Sequence, residues 1–284
     1  MPDYGIVDTH VHFWDTTRVP IDWHARVPAM ARRFGPEDLA EHAGDVAIER
    51  LVFVEADVSP GANIAEAEWI TELAAADPRI QAIVAHAPLE QGAEVEGDLA
   101  KLAEIPLVRG IRRLLQDEAD DAYCLRPGFI EGVKLLPAHD LHFEICIYHR
   151  QFAATLDFVA QCPEVRMVLN HIGKPGIRDG ITEPWRQQMH DLAGCDNVVC
   201  KLSGVATEAD HANRSEGQLR PYIDHALDCF GPDRVMFGGD WPVATLAVAY
   251  PRWVEIVDRA LKALPEADRR KVWRDNAIAY YGLG

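Results

Sequence analysis

Eight short apolar runs rich in β-branched residues recur along the chain, at Gly5 to His10, Arg50 to Asp57, Ile80 to Ala85, Leu107 to Leu114, His142 to Tyr148, Val165 to Ile172, Asn197 to Gly204 and Arg234 to Trp241. Runs of this length, closed by polar or Gly-rich residues, predict buried strands. Between most of them lie stretches of helical period. Leu219, Tyr222, Ile223, Ala226, Leu227 and Phe230 fall on one helical face, as do Trp253, Ile256, Val257, Ala260, Leu261 and Leu264. Phe152, Leu156 and Val159 form another stripe, and Asn63 with Glu66 three residues on predicts a capping box ahead of Ile64, Ile70 and Leu73. Strands that alternate with helices predict a parallel sheet, and eight such units predict an α/β fold of the (β/α)8 TIM-barrel type rather than an open doubly wound sheet. No Gly-x-Gly-x-x-Gly or Walker loop follows any strand, so a nucleotide site lacks its phosphate cradle. No repeat, low-complexity tract or Pro/Gly-rich linker divides the chain, and residues 1–284 read as a single domain. The stretch from Asp15 to Arg33, with Trp23, His24 and Pro28, breaks the alternation and predicts a long loop over the barrel mouth.

Composition narrows the partners. With 48% hydrophobic residues the chain has material for a large core. Its formal net charge of −17, without a Lys/Arg cluster, argues against nucleic acid and membrane surfaces as partners. The start, MPDYGIVDTH, has neither a basic segment nor an apolar stretch of signal-peptide length, which predicts a cytoplasmic protein. Cys124, Cys146, Cys162, Cys195, Cys200 and Cys229 form no C-x-x-C pair and read as buried thiols in a reducing compartment. A homo-oligomer is left open.

The chemistry-bearing residues stand at strand ends. In Asp8-Thr9-His10-Val11-His12 the alternation of side chains puts Asp8, His10 and His12 on one face, so two imidazoles converge. They can hold a divalent ion or polarise a carbonyl at the C-terminal end of a first barrel strand. Further along, His171 stands where an apolar run stops and Lys174 follows on a Gly-Pro turn. Asp240 ends the eighth run behind two glycines that let a ligand approach the backbone. Parity on the fourth run points Arg112, not Arg113, into the barrel. Taken singly, each of these residues also reads as structural or solvated. Four separate strand ends that aim polar groups at one mouth read as an active site.

These segments carry a family resemblance. The D-T-H-V-H start, V-R-G-I-R leading to Leu115-Gln116-Asp117-Glu118, the N-H-I-G-K-P turn, Cys200-Lys201-Leu202-Ser203-Gly204 and the F-G-G-D-W-P end together resemble the amidohydrolase superfamily, in its lactonase-like branch that acts on sugar lactones. The resemblance spans the whole chain. It implies a (β/α)8 barrel that opens the ring ester of small lactones such as L-fuconolactone or L-rhamnonolactone. His10 and His12 match the first-strand histidines of the family, His171 the sixth-strand histidine and Asp240 the eighth-strand aspartate. Two-metal members have a bridging Lys or Glu on strand four and a His within strand five, where this chain reads Arg109 to Leu114 and His142 to Tyr148, with His149 just beyond at a helix start. That departure implies at most one divalent ion, zinc by donor type, on His10, His12 and Asp240, and leaves a metal-independent site open.

On this reading Asp240 activates the hydrolytic water and returns the proton to the departing ring oxygen, and His10, His12 and His171 meet the developing oxyanion. No Gly-x-Ser-x-Gly elbow offers a nucleophile. A single inward arginine favours a neutral sugar lactone over a dicarboxylate, with Arg112 and Lys174 as polar contacts and Trp14, Trp241 and Tyr148 as sugar-facing rings. A metal-dependent decarboxylase or amide hydrolase on the same barrel is the alternative.

Overall fold

The computed structural model describes residues 2–211 and 215–284. Eight parallel strands pair in chain order: β1 (Ile6–Val11), β2 (Ile48–Val54), β3 (Ile80–His86), β4 (Val108–Arg112), β5 (His142–Ile145), β6 (Met167–Leu169), β7 (Val198–Leu202) and β8 (Val235–Phe237). Closure comes from backbone bonds beyond the end of β8. The Asp240 N–H donates to His10 O at 2.7 Å, and the His12 N–H donates to Trp241 O at 2.8 Å. The sheet is thus a nearly closed (β/α)8 barrel, which removes the exposed edges an open sheet would present.

Helices α1 (Pro36–Ala43), α2 (Asn63–Ala76), α3 (Glu96–Ala103), α4 (Pro127–Leu135), α5 (Phe152–Gln161), α6 (Trp185–Ala193), α7 (Glu216–Phe230) and α8 (Tyr250–Leu261) form the outer layer. They bury the predicted faces: Leu219, Tyr222, Ile223, Ala226 and Phe230 on α7, and Trp253, Ile256, Val257, Ala260 and Leu261 on α8. Two further helices, α9 (Glu266–Arg270) and α10 (Asn276–Tyr281), end the chain. Ala277, Tyr281 and Leu283 pack with Val7, Val52, Val54, Val84, Val168 and Met236 in an apolar cluster of their own. No helix among the described residues is long and apolar enough to cross a membrane, and all six cysteines are free thiols.

Two local expectations change. The Asn63/Glu66 pair forms no capping box: Ala62 is the N-cap of α2, and Glu66 turns into the protein to accept the Ala56 N–H at 2.9 Å. The second departure is that β5, β6 and β8 stop three to four residues short of the apolar runs that predicted them, at Ile145, Leu169 and Phe237. Apolar residues continue past the last ladder bond because the turns above the barrel are themselves buried. Those turns carry the site.

Candidate active site

His10 is the last but one residue of β1, which ends at Val11, and His12 follows directly after the strand. Asp8, below them on the same strand, is wholly buried and accepts the His10 N–H at 3.0 Å, the Gly239 N–H at 2.7 Å and the Tyr250 hydroxyl at 2.7 Å. Its carboxylate therefore ties β1 to the turn after β8, and burial pushes its pKa up to about 6. That turn places Asp240 in the left-handed region, φ 53°. Asp240 Oδ1 lies 3.5 Å from His12 Nε2, 3.8 Å from His10 Nε2 and 4.0 Å from His171 Nε2. One nearly buried carboxylate oxygen is thus the centre of three imidazoles.

Hydrogen bonding defines what each ring presents. His12 Nδ1 faces Val54 O at 2.7 Å and Glu55 O at 3.1 Å, two acceptors, so Nδ1 carries a proton and Nε2, turned to Asp240, is the nitrogen whose lone pair a cation would engage. Arg112 Nη1 donates to His10 Nε2 at 3.3 Å, and a guanidinium only donates, so His10 Nε2 carries no proton, and a cation bound there would take over the lone pair that Arg112 engages. Lone pairs suit a cation. His10, His12 and Asp240 offer three ligand atoms within 4.8 Å of one another, a two-nitrogen, one-oxygen set of the kind zinc accepts. The donor set fits one zinc ion. Among the described residues no other group of three such side chains converges in this way.

His171 sits on a turn in which His171, Ile172, Gly173 and Lys174 all have positive φ, at 55°, 48°, 72° and 43°. Three of the four carry a Cβ, so the backbone is strained and must be held from outside. Ser203 Oγ bonds His171 Nδ1 at 2.9 Å, and the Trp185 indole donates to Ile172 O at 2.9 Å. Below, Asn170 Nδ2 donates to Glu144 Oε2 at 2.8 Å. Burial pushes His171 down to about 3 despite the nearby Asp240, and burial with neighbouring cations holds His10 well below its ordinary value. Both rings are neutral near pH 7. Burial alone would raise the Asp240 carboxyl, but His171, His12 and Lys174 outweigh it and hold it below the ordinary carboxylate range.

The cations are built in. Arg112, 4% exposed, donates through Nε to Glu55 Oε1 at 2.6 Å and through Nη2 to Glu55 O at 2.7 Å. Lys174 Nζ donates to Gln116 Oε1 at 2.5 Å. A cavity of about 500 Å³ opens over these groups, and its wall includes His12, Arg112, His171, Lys174, Asp240 and Trp14. Trp14 is anchored by its indole to Met30 O and Arg32 O.

The cavity wall does not include two of the residues singled out as sugar-facing. Trp241 is wholly buried, donates to His42 Nδ1 at 2.9 Å and packs on Phe13 and Phe34. Tyr148 stands behind Lys174, whose ammonium lies 5.2 Å from its ring centroid, and borders a neighbouring hollow. Sequence reasoning gave no role in the site to Glu55, Trp23 and Gln116. Glu55 lies within the second apolar run and directly follows the last residue of β2, so the strand-end rule that finds Asp240 also reaches it. Trp23 and Gln116 come from irregular segments, where period gives no orientation. It also passed over Glu144 and Lys201, which pair at 2.7 Å beneath the site with both side chains wholly buried.

Comparison with known proteins matches this geometry with sequence. The chain is 34% identical to L-fucono-1,5-lactonase of Burkholderia ambifaria over 98% of its length and 95% of the relative's. It is 33% identical to L-fucono-1,5-lactonase of Burkholderia multivorans over 98% and 96%. A crystal structure of an amidohydrolase from Burkholderia multivorans with bound zinc has a TM-score of 0.88 and 32% identity, over 99% of this chain and 100% of that one. The amidohydrolase family pattern runs through residues 7–283, from β1 to the chain end, and the chain belongs to that family.

Proposed function

We propose that the protein hydrolyses the ring ester of neutral sugar lactones, L-fuconolactone among them. The observation that carries this reading is the similarity to L-fucono-1,5-lactonases over nearly the whole chain. The site chemistry supports it. Ester hydrolysis needs a base for water, donors for the carbonyl oxygen and a proton for the leaving alkoxide.

Asp240 is the base. It is ionised near pH 7 and faces the cavity. It takes a proton from the attacking water and returns it to the ring oxygen as the carbonyl–oxygen bond breaks, a role worth about 10²-fold to 10⁴-fold. Arg112 spends three of its five N–H groups on Glu55 and His10, which leaves donors free on a cationic group for the carbonyl oxygen. Lys174, held by Gln116, is the second such donor. An oxyanion donor of this kind contributes about 2.7–4 kcal/mol. His171 flanks Asp240: the Ser203 hydroxyl fixes its Nδ1 at 2.9 Å, and its Nε2 lies 4.0 Å from the carboxylate that it helps to position. His10, His12 and Asp240 would hold a zinc ion, which when bound supplies Lewis-acid polarisation of the carbonyl. Six free thiols and a net charge of −17 support a cytoplasmic enzyme with a small neutral partner rather than a nucleic-acid ligand.

The test is a pH-indicator assay over a panel of aldonolactones, since each ring opening releases a proton. L-Fuconolactone or a close stereochemical relative is expected to be hydrolysed far above the background rate. Turnover of a benzoate carboxylate or an amide, with no lactone opened, would replace this reading with the decarboxylase or amidase alternative.

A further inference from the structure

We propose that Asp57, with the Trp23 indole beside it, reads the ring hydroxyls of the substrate and so sets specificity; this rests on the lactone reading above. Asp57 lies on the loop after β2 and lines the central cavity. It also borders an adjoining cavity of about 500 Å³ that reaches Asn63, His86 and Arg113. Its backbone is left-handed, φ 51°. Two acids hold it there. Glu55 Oε2 accepts the Asp57 N–H at 2.7 Å and Glu66 Oε1 accepts the Ala56 N–H at 2.9 Å, and both carboxylates are buried. A strained residue fixed by two buried carboxylates is a feature the fold could shed by substitution unless the side chain is used.

That side chain is available. Among the described residues the Asp57 carboxylate has no hydrogen-bond or ion-pair partner within the protein. It is an acceptor only, and its two oxygens can take two vicinal hydroxyls in charge-assisted bonds. Beside it the Trp23 indole donates to Ala56 O at 2.8 Å and meets Trp14 edge-on, with ring centroids 5.3 Å apart. Trp23 therefore moves with the segment that carries Asp57. An anchored aromatic ring next to an unpaired carboxylate offers an apolar surface to ring C–H groups and acceptors to hydroxyls, the two halves of sugar recognition. Asp117 adds a second carboxylate to the same wall. Arg26, on the same short turn as Trp23, lines it too, but its side chain is exposed whereas Trp23 is anchored by its indole.

The experiment compares the full-length wild type with Asp57→Asn on L-fuconolactone and each of its monodeoxy analogues in one buffer. Asn is nearly isosteric and tolerates left-handed backbone, and an unchanged thermal midpoint checks the fold. The expected result is a fall in kcat/KM for L-fuconolactone of about 10-fold to 10²-fold, carried by KM, with kcat nearly unchanged. The wild-type-to-variant ratio should shrink on each deoxy analogue that lacks a hydroxyl accepted by Asp57 and stay unchanged on the others. If the variant matches the wild type on L-fuconolactone, or loses the same factor on every analogue, Asp57 does not read hydroxyls and the lactonase reading still stands. A wild type that opens none of these lactones overturns both.

Discussion

Arg112 shows how much one side chain is asked to do. Parity along the fourth apolar run already points it inward, but its partners come from β2 and β1, which no pattern within its own strand could show. Its guanidinium neutralises the wholly buried Glu55, whose carboxyl it holds below the ordinary range against the effect of burial. It also dictates which nitrogen of His10 carries no proton. Arg112→Met removes both effects. We expect kcat/KM for any good lactone substrate to fall about 10²-fold, the worth of one oxyanion donor. Stability should fall by about 3–5 kcal/mol, because Glu55 is left as a buried charge without its partner. Steady-state kinetics and urea unfolding of the same preparation check the two parts. Trp241 is the converse case: adjacency to Asp240 in sequence suggested a sugar face, yet the reversal of the chain after Asp240 sends the indole into the core against Phe13, Phe34 and His42.

At the scale of the element, the strands were legible and the turns above them were not. Period-two alternation is a property of extended backbone, so it locates His10 and Arg112. It says nothing about His171 and Asp240, which stand in left-handed turns after β6 and β8. Their identity could be read from the motif, their placement only from tertiary contacts. Gly204, at the exit of β7, makes those contacts close. Its φ is 59°, and a Cβ there would overlap the His171 ring and lie 3.0 Å from Asp240 Oδ2. Gly204→Ala should therefore displace Asp240, the proposed base, and the His171 imidazole together. A misplacement of about 1 Å can cost about 10²-fold in rate. The expected outcome is a loss of that order in kcat, with a smaller change in KM and a folded protein by circular dichroism. Unchanged kcat would mean that His171 and Asp240 tolerate the shift.

Across the whole molecule, a polar network beneath the site joins distant segments. Glu144 on β5 accepts from Lys201 on β7, from Asn170 after β6 and from the Tyr281 hydroxyl at the end of α10. It is a feature that local sequence reading cannot reach, since its members are up to 137 residues apart. Burial alone would raise the Glu144 carboxyl, but Lys201 and His142 outweigh it and hold it well below the ordinary range. A carboxyl depressed in the folded state stabilises it fully above the unfolded value near 4.3, and that contribution is lost as pH falls further. Glu144→Gln should cost about 3–5 kcal/mol at pH 7, where Lys201 loses its buried counter-charge. The gap between the two proteins should narrow as pH falls from 6 to 3. Denaturant midpoints along that series check it, and a gap independent of pH would show that the network is not held by the Glu144 charge.

The barrel itself was readable because eight strand–helix units leave few alternatives, and His10, His12, His171 and Asp240 could be singled out near strand ends, but their ring around one carboxylate oxygen could not. What those groups do together rests on Asp240 acting as the base. The most direct measurement is kcat/KM of Asp240→Asn on L-fuconolactone beside the wild type. The amide keeps the volume and removes the base, so a loss of at least about 10²-fold with an unchanged unfolding midpoint is expected. A variant that keeps more than about a tenth of wild-type kcat/KM would contradict the assignment.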